Sequence, residues 1–466
     1  MRLHPTPILL VSAMMTFSQV TDRSRPPETP SLPAFRMPSI YEAGLSNGLK
    51  ILLVEDRRLP MVTLRLGFPA GSKFDPPDLS GLAEATAALL TQGTRTRTAR
   101  QIAEEVAAIG GTLEAQAGAD SLVLRGNALA ENLAKLLELA ADVTLQATFP
   151  EEEIGIYKNK RKQELLAERS QAAHWAEEKL AEAVFGSHPY ARLNPTLESI
   201  ERIERKALEA YRDRLLAPNT AVLILLGALP GREQTVKLVR DRFGSWEPRE
   251  AVRPPAANFP KPQRSLKLVD RAGSVQADIR IGRLAVHRND PDYFPLVVAS
   301  TLLGGGASSR LFMNIREKKG FAYDAHSMLQ PRKDAGLFSV VTQVRNEVVE
   351  PALEAVLEEM ERIAKEPAKP EELADVKNYL SGIFVLGLET QSALANQLMT
   401  VKLMELAPDY LERYTARIQA VTAEQVQTAA RKYISPENAS LVIVGDAPEL
   451  IKAVEKFGKP VIVKAE

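Results

Sequence analysis

Cysteine is missing from all 466 residues, which excludes disulfides, thiolate metal sites, a cysteine nucleophile and a lipidated N-terminal cysteine, and leaves the redox compartment open. Histidine is scarce. The five histidines are His4, His174, His188, His287 and His326, and no two of them stand four apart, the spacing that puts two ligands on one helical face. Net charge is absent too: 59 basic residues cancel 59 acidic ones, so no nucleic-acid or membrane field is implied. The sequence contains no G-x-S-x-G elbow, no G-x-G-x-x-G and no glycine-rich loop followed by G-K-[ST], so serine hydrolysis and nucleotide binding lack their signatures. Paired carboxylates such as Glu371-Glu372 fall in amphipathic helical patterns and read as surface charge.

What is present starts with an apolar segment from Pro7 to Phe17 behind Arg2. It is too short to span a bilayer and fits the core of a signal peptide over 1–18, so export to the periplasm is expected, with a mitochondrial presequence as the alternative. Residues 19–38 read as a linker on composition. The chain is long enough for two domains of roughly 200 residues each. A cluster of five prolines from Pro248 to Pro262 separates them, giving an N-terminal unit at 39–247, a linker at 248–262 and a C-terminal unit at 263–466.

The plan repeats. LAPNTAVLILLG in the first unit matches ISPENASLVIVG in the second, with Pro218 against Pro436 and Gly227 against Gly445 at one offset of 218 residues. Tyr157-Lys-Asn159 resembles Val376-Lys-Asn378, at an offset of 219. Strands at Leu49–Val54 and in MVTLRLGF, a helix capped by Ser80, a capping box at Thr98–Gln101 and helical patterns over 131–145, 151–184 and 198–216 fill the first unit. The fold class expected is α+β: two homologous domains, each a mostly antiparallel sheet with helices packed on one face, together half of a clam-shell.

The stretch from Thr301 to Ser327, TLLGGGASSRLFMNIREKKGFAYDAHS, carries the chemistry. The run Gly304, Gly305, Gly306 lets the backbone take φ > 0 or lie against another chain. A helix capped by Ser308 or Ser309 follows, and Gly320 closes it ahead of a strand. Arg316 and Tyr323 thus flank one helix-to-strand corner. That pattern resembles the second-half signature of the pitrilysin family of zinc peptidases, which includes insulin-degrading enzyme and the mitochondrial processing peptidase. The resemblance implies that Arg316 and Tyr323 bind the substrate backbone and the reacting carbonyl, with Gly304 to Gly306 beside them.

In the family the first half carries H-x-x-E-H on a helix. Here that helix keeps Gly81-Leu82-Ala83, but Glu84, Ala85, Thr86, Ala87 and Ala88 stand at the motif positions. Both histidine ligands and the general base are gone. Glu164, about where the family's last ligand lies, cannot hold zinc alone, so no metal and no cofactor are expected in this chain. The resemblance then implies a non-catalytic, substrate-binding subunit of a heterodimeric metallopeptidase, with a zinc-bearing pitrilysin-family partner and a peptide substrate. The alternative is an inactive scaffold or binding protein of the same fold in a larger complex.

Overall fold

Two near-continuous apolar runs, Val222–Gly227 and Ser440–Gly445, are buried at every position, as expected of strands covered on both faces. Each lies within a six-stranded sheet. The computed structural model describes residues 36–254 and 258–465; the signal-peptide call at 1–18 and nearly all of the linker at 19–38 fall outside them.

The first sheet comprises β1 (Ile40–Gly44), β2 (Lys50–Glu55), β3 (Met61–Phe68), β4 (Thr112–Ala117), β5 (Leu122–Leu129) and β6 (Val222–Gly227) in the order β1-β2-β6-β3-β5-β4. The second comprises β7 (Ser265–Asp270), β8 (Gln276–Ala285), β9 (Ala322–Gln330), β10 (Gly336–Arg345), β11 (Ser440–Gly445) and β12 (Val461–Lys464) in the order β12-β7-β11-β8-β10-β9. Strip one edge strand from each and the same five-strand topology remains. In both, the first strand runs parallel to the last (β2 with β6, β7 with β11) and the other pairs are antiparallel. The repeat read from the two matching loops is therefore a repeat of whole sheets. The edges differ: β1 precedes its sheet and pairs antiparallel, whereas β12 comes from the chain's end and pairs parallel.

The helices of the first half are α1 (Leu82–Leu89), α2 (Ala99–Ala108), α3 (Leu133–Gln146), α4 (Glu151–Arg169), α5 (Ala172–Phe185), α6 (Leu197–Arg202), α7 (Arg205–Leu215) and α8 (Arg232–Phe243). Those of the second half are α9 (Tyr293–Gly304), α10 (Val349–Lys365), α11 (Pro370–Leu386), α12 (Gln391–Leu403), α13 (Tyr410–Ala420), α14 (Ala423–Tyr433) and α15 (Ala447–Glu455). The pattern over 151–184 is two helices, broken at Ser170 and Gln171, and this break has a consequence for packing. The helix after it leaves its own half: α5 packs on β8 and β11 of the second sheet, while its counterpart α12 packs on β3 and β6 of the first.

Period-two alternation shows how one sheet serves two partners. Val62, Leu64, Leu66 and Phe68 of β3 join the core formed with the first half's own helices. On the opposite face, Arg65 donates to Asn396 Oδ1 at 2.7 Å and to Ser392 Oγ at 2.5 Å, both on α12. Gly67 makes room for the same helix, since a Cβ there would lie 2.3 Å from Met399 Sδ. Gly282 does the same in the second sheet, where a Cβ would lie 2.8 Å from Leu180 of α5. Trp175, Leu180, Val184 and Phe185 of α5 share a core with Val442 and Val444.

The capping box at Thr98 forms as expected, and Gly110 turns the chain after α2 at φ +60°. Ser80 does not cap α1. Its hydroxyl donates to Asn194 O, and Asp75, six residues before Gly81, accepts the N–H groups of Gly81 and Ala83, each at 3.0 Å. Gly81 holds φ +94°, which lets the chain double back over Asp75. Burial pushes the Asp75 carboxyl up to about 7, against the opposing pull of these two donors. The folded state thus binds this proton more tightly than the unfolded one. The associated stability is fully present below pH ~4 and is lost as pH rises through about 7. Asp75→Asn is expected to flatten the fall in unfolding free energy between pH 4 and 7 by on the order of 1–3 kcal/mol, measured by urea titration across that range. An unchanged slope would show that Asp75 stays ionised in the fold.

Candidate functional site

Helix α9 ends in the glycine run, and two of the three glycines are fixed by packing. A Cβ on Gly304 would lie 2.2 Å from the backbone nitrogen of Ser327 on β9, and one on Gly305 would lie 2.6 Å from Thr301 Cα; around Gly306 the space is open. The chain then winds into a helical segment whose body, Phe312–Lys318, is π-helical. Neither serine caps it with its side chain: the Ser309 hydroxyl is buried without a hydrogen-bond partner, and its N–H donates to Gly306 O at 3.0 Å. Gly320, at φ +63°, ends the segment as the sequence predicts. Phe321 N–H closes onto Ile315 O at 3.0 Å, and β9 begins at once.

This corner brings Arg316 and Tyr323 together. The Arg316 guanidinium lies 4.8 Å from the centre of the Tyr323 ring and 4.6 Å from that of Phe312, a cation stacked between two aromatic faces. Tyr323 is 84% exposed, on the strand at the sheet's edge. Its hydroxyl has no hydrogen-bond partner among the described residues. The only carboxylate beside Arg316 among them is Glu317, at 3.5 Å. An exposed phenol and a loosely paired guanidinium can both hydrogen-bond an incoming backbone carbonyl.

What holds the π-helical turn was not legible beforehand. Asn314 Nδ2 donates at 2.7 Å to Glu359 of α10, a carboxylate only 2% exposed that also pairs with Arg362 at 3.1 Å. Arg310 forks onto Glu372 of α11 at 2.7 and 2.8 Å. Glu372 is therefore an anchor of the turn and not merely surface charge.

At the positions where zinc ligands would stand, α1 presents Glu84 and small side chains. Arg161 of α4 lies against Glu84, Nε to Oε1 at 2.9 Å, and sets its terminal nitrogens on Glu168 at 3.1 and 3.3 Å. Glu164 faces Lys160 at 3.7 Å. Burial holds Glu84 above the usual carboxylate range even with Arg161 beside it. This donor set does not fit zinc, because a guanidinium already neutralises the carboxylates and no imidazole is within the group. Among the described residues no three His, Asp or Glu side chains converge to hold a metal ion.

Three of the histidines among the described residues make local contacts. His174 lies 3.6 Å from Glu178, one turn along α5, and His326 Nδ1 lies 2.6 Å from Asp324. His188 accepts the Tyr190 N–H at 3.2 Å and stacks on Phe259. The sequence motif HPYAR thus builds a joint that its residue types did not announce. Tyr190 OH donates to Asp120 at 2.5 Å and lies 3.1 Å from Asp334, while buried Lys73 bridges the same two carboxylates at 2.9 and 3.2 Å. Lys73, Asp120 and Tyr190 come from the first half and Asp334 from the second.

Two duplicated sheets with exchanged helices, an exposed Arg–Tyr pair at an edge strand and an Arg161–Glu84 ion pair where the family's metal ligands would stand define a peptidase-like fold. The comparisons agree. Residues 50–195 match the family described as insulinase (peptidase family M16), and residues 202–380 match the peptidase M16 inactive domain. The chain belongs to peptidase family M16, the pitrilysin or insulinase family. It is similar to an uncharacterized zinc protease of Streptomyces coelicolor, at 26% identity over 87% of this chain and 90% of the relative. The uncharacterized zinc protease YmxG of Bacillus subtilis is 24% identical over 85% and 96%. A crystal structure of a peptidase M16 inactive domain from Pseudomonas fluorescens superimposes with a TM-score of 0.81 at 27% identity, covering 87% of this chain and 98% of that one.

Proposed function

We propose that this chain is the non-catalytic, substrate-binding subunit of a heterodimeric zinc metallopeptidase that cleaves peptides in an enclosed chamber. The observation that carries the reading is a contrast between its two halves. Arg161 and Glu84 fill the metal position with an ion pair, while Arg316 and Tyr323 remain open at the edge of the second sheet. A pure scaffold has no need of an exposed, stacked Arg–Tyr pair. In this reading the zinc belongs to a partner subunit bearing H-x-x-E-H, and the chain works after export. No helix among the described residues is long and apolar enough to cross a membrane.

Affinity purification of the native chain tests the proposal. The expected result is a co-purifying subunit of similar size with an H-x-x-E-H motif, peptidase activity in the pair and none in this chain alone. Elemental analysis is expected to find no stoichiometric zinc in the isolated chain. One zinc per isolated chain would overturn the reading, and recovery in a larger assembly with no peptidase would assign the scaffold role.

A further inference from the structure

Away from the Arg316–Tyr323 corner, a cavity of about 480 Å³ opens between the loop leading into α9 and the helices α13 and α14. Two arginines line it, and neither has a carboxylate within ion-pair distance among the described residues. The Arg288 guanidinium is 4.9 Å from the centre of the Tyr293 ring and 5.7 Å from that of Tyr410, and its Nε donates to the Tyr410 hydroxyl at 3.2 Å. Arg417, on α13, lies 5.4 Å from the centre of the Phe294 ring. Aromatic faces orient a guanidinium but leave its in-plane N–H donors to be satisfied by water or by an anion. Two such forks on one cavity suit a carboxylate, which each can meet with paired hydrogen bonds.

The rest of the lining sets the ligand's body and charge. Pro291, Phe294, Pro295 and Val421 supply apolar surface, which a bare inorganic anion would leave unused. Asp290 lines the same cavity; one of its oxygens accepts the Asp292 N–H at 2.8 Å, and the other lies 4.0 Å from His287 Nε2. A carboxylate at the rim repels a dianion more strongly than a monoanion.

The geometry points to a binding site for a monocarboxylate with an apolar or aromatic body, the chemistry shared by the C-terminal residue of a peptide and a free aromatic acid. The site lies on other elements than the Arg316–Tyr323 corner and does not rest on the peptidase reading. Calorimetric titration of the whole chain with N-acetyl-L-phenylalanine, its amide and inorganic phosphate tests it. The free acid is expected to bind at least about tenfold more tightly than the amide or phosphate, the cost of losing a charge-assisted hydrogen-bonded pair. Arg417→Ala, at an exposed position, is expected to weaken the acid at least about tenfold at an unchanged melting temperature, with Arg417→Lys recovering part of the loss. An acetylated tetrapeptide ending in phenylalanine separates the two sources: binding as tight as the single residue assigns a peptide end, and exclusion assigns a free acid. Equal affinity for acid and amide, no binding of the acid, or wild-type binding by Arg417→Ala would overturn the proposal.

Discussion

Tyr323→Phe, in this chain paired with the zinc-bearing partner proposed for it, is expected to lower kcat by about 10² to 10³ while leaving assembly intact. The size follows from where charge appears. Attack on a peptide carbonyl turns its oxygen into an oxyanion, and a phenol already aimed at that position donates a hydrogen bond that strengthens as the charge grows; removing one such donor costs about 2.7–4 kcal/mol. The structure is compatible with that role: the Tyr323 ring lies against the Arg316 guanidinium, and its hydroxyl is exposed with no hydrogen-bond partner among the described residues. The substitution deletes only that hydroxyl, so the stack survives. Arg316→Ala removes both the stack and a fork of donors, and is expected to raise KM as well as lower kcat. Steady-state kinetics on the reconstituted pair separates these outcomes. If both variants cleave peptides at the wild-type rate, the chain contributes no chemistry and the scaffold reading replaces the one proposed.

The second large effect concerns the exchange of helices between halves. Gly282→Val is expected to destabilise the chain by about 1–3 kcal/mol, through overpacking alone. The introduced Cβ would lie 2.8 Å from Leu180 on α5 and 3.1 Å from Phe338 O on the neighbouring strand, and the backbone oxygen cannot step aside. Valine's better strand propensity, worth less than about 1 kcal/mol, offsets only part of this. Gly67→Val is expected to cost less, because its nearest obstacle is the flexible end of Met399. Gly306→Ala is the control: nothing stands within 4 Å of its Cβ, so a change within about 0.5 kcal/mol is expected. Urea titration of the three variants gives the order. A Gly282→Val chain as stable as the wild type would show that α5 does not seat on the second sheet as described.

Much of the site was legible because it lies in one short stretch. Arg316, Gly320 and Tyr323 are tied by local geometry: a glycine able to take φ +63° ends the helix and fixes how the strand leaves it, which brings residues on either side of it near one another. The absence of the H-x-x-E-H motif was equally plain, because the family's two histidine ligands come from one helix. The supports were not. Arg310 to Glu372 spans 62 residues and Asn314 to Glu359 spans 45, and a glutamate on a helical pattern looks the same whether it meets water or a buried asparagine.

The repeat, too, was written in the chain, since segments that recur at offsets of 218 and 219 residues argue for two copies of one plan. Hydrophobic patterning then determined which segments become strands and helices, for it records how much of each is buried. It does not record by what. An apolar face on α5 is satisfied equally by the first sheet or the second, and only the assembled structure, with Gly67 and Gly282 clearing the way, sends each helix to the other half. The same holds for Arg161, whose place against Glu84 arises only when α1 and α4 pack side by side and set a guanidinium among carboxylates at the metal position.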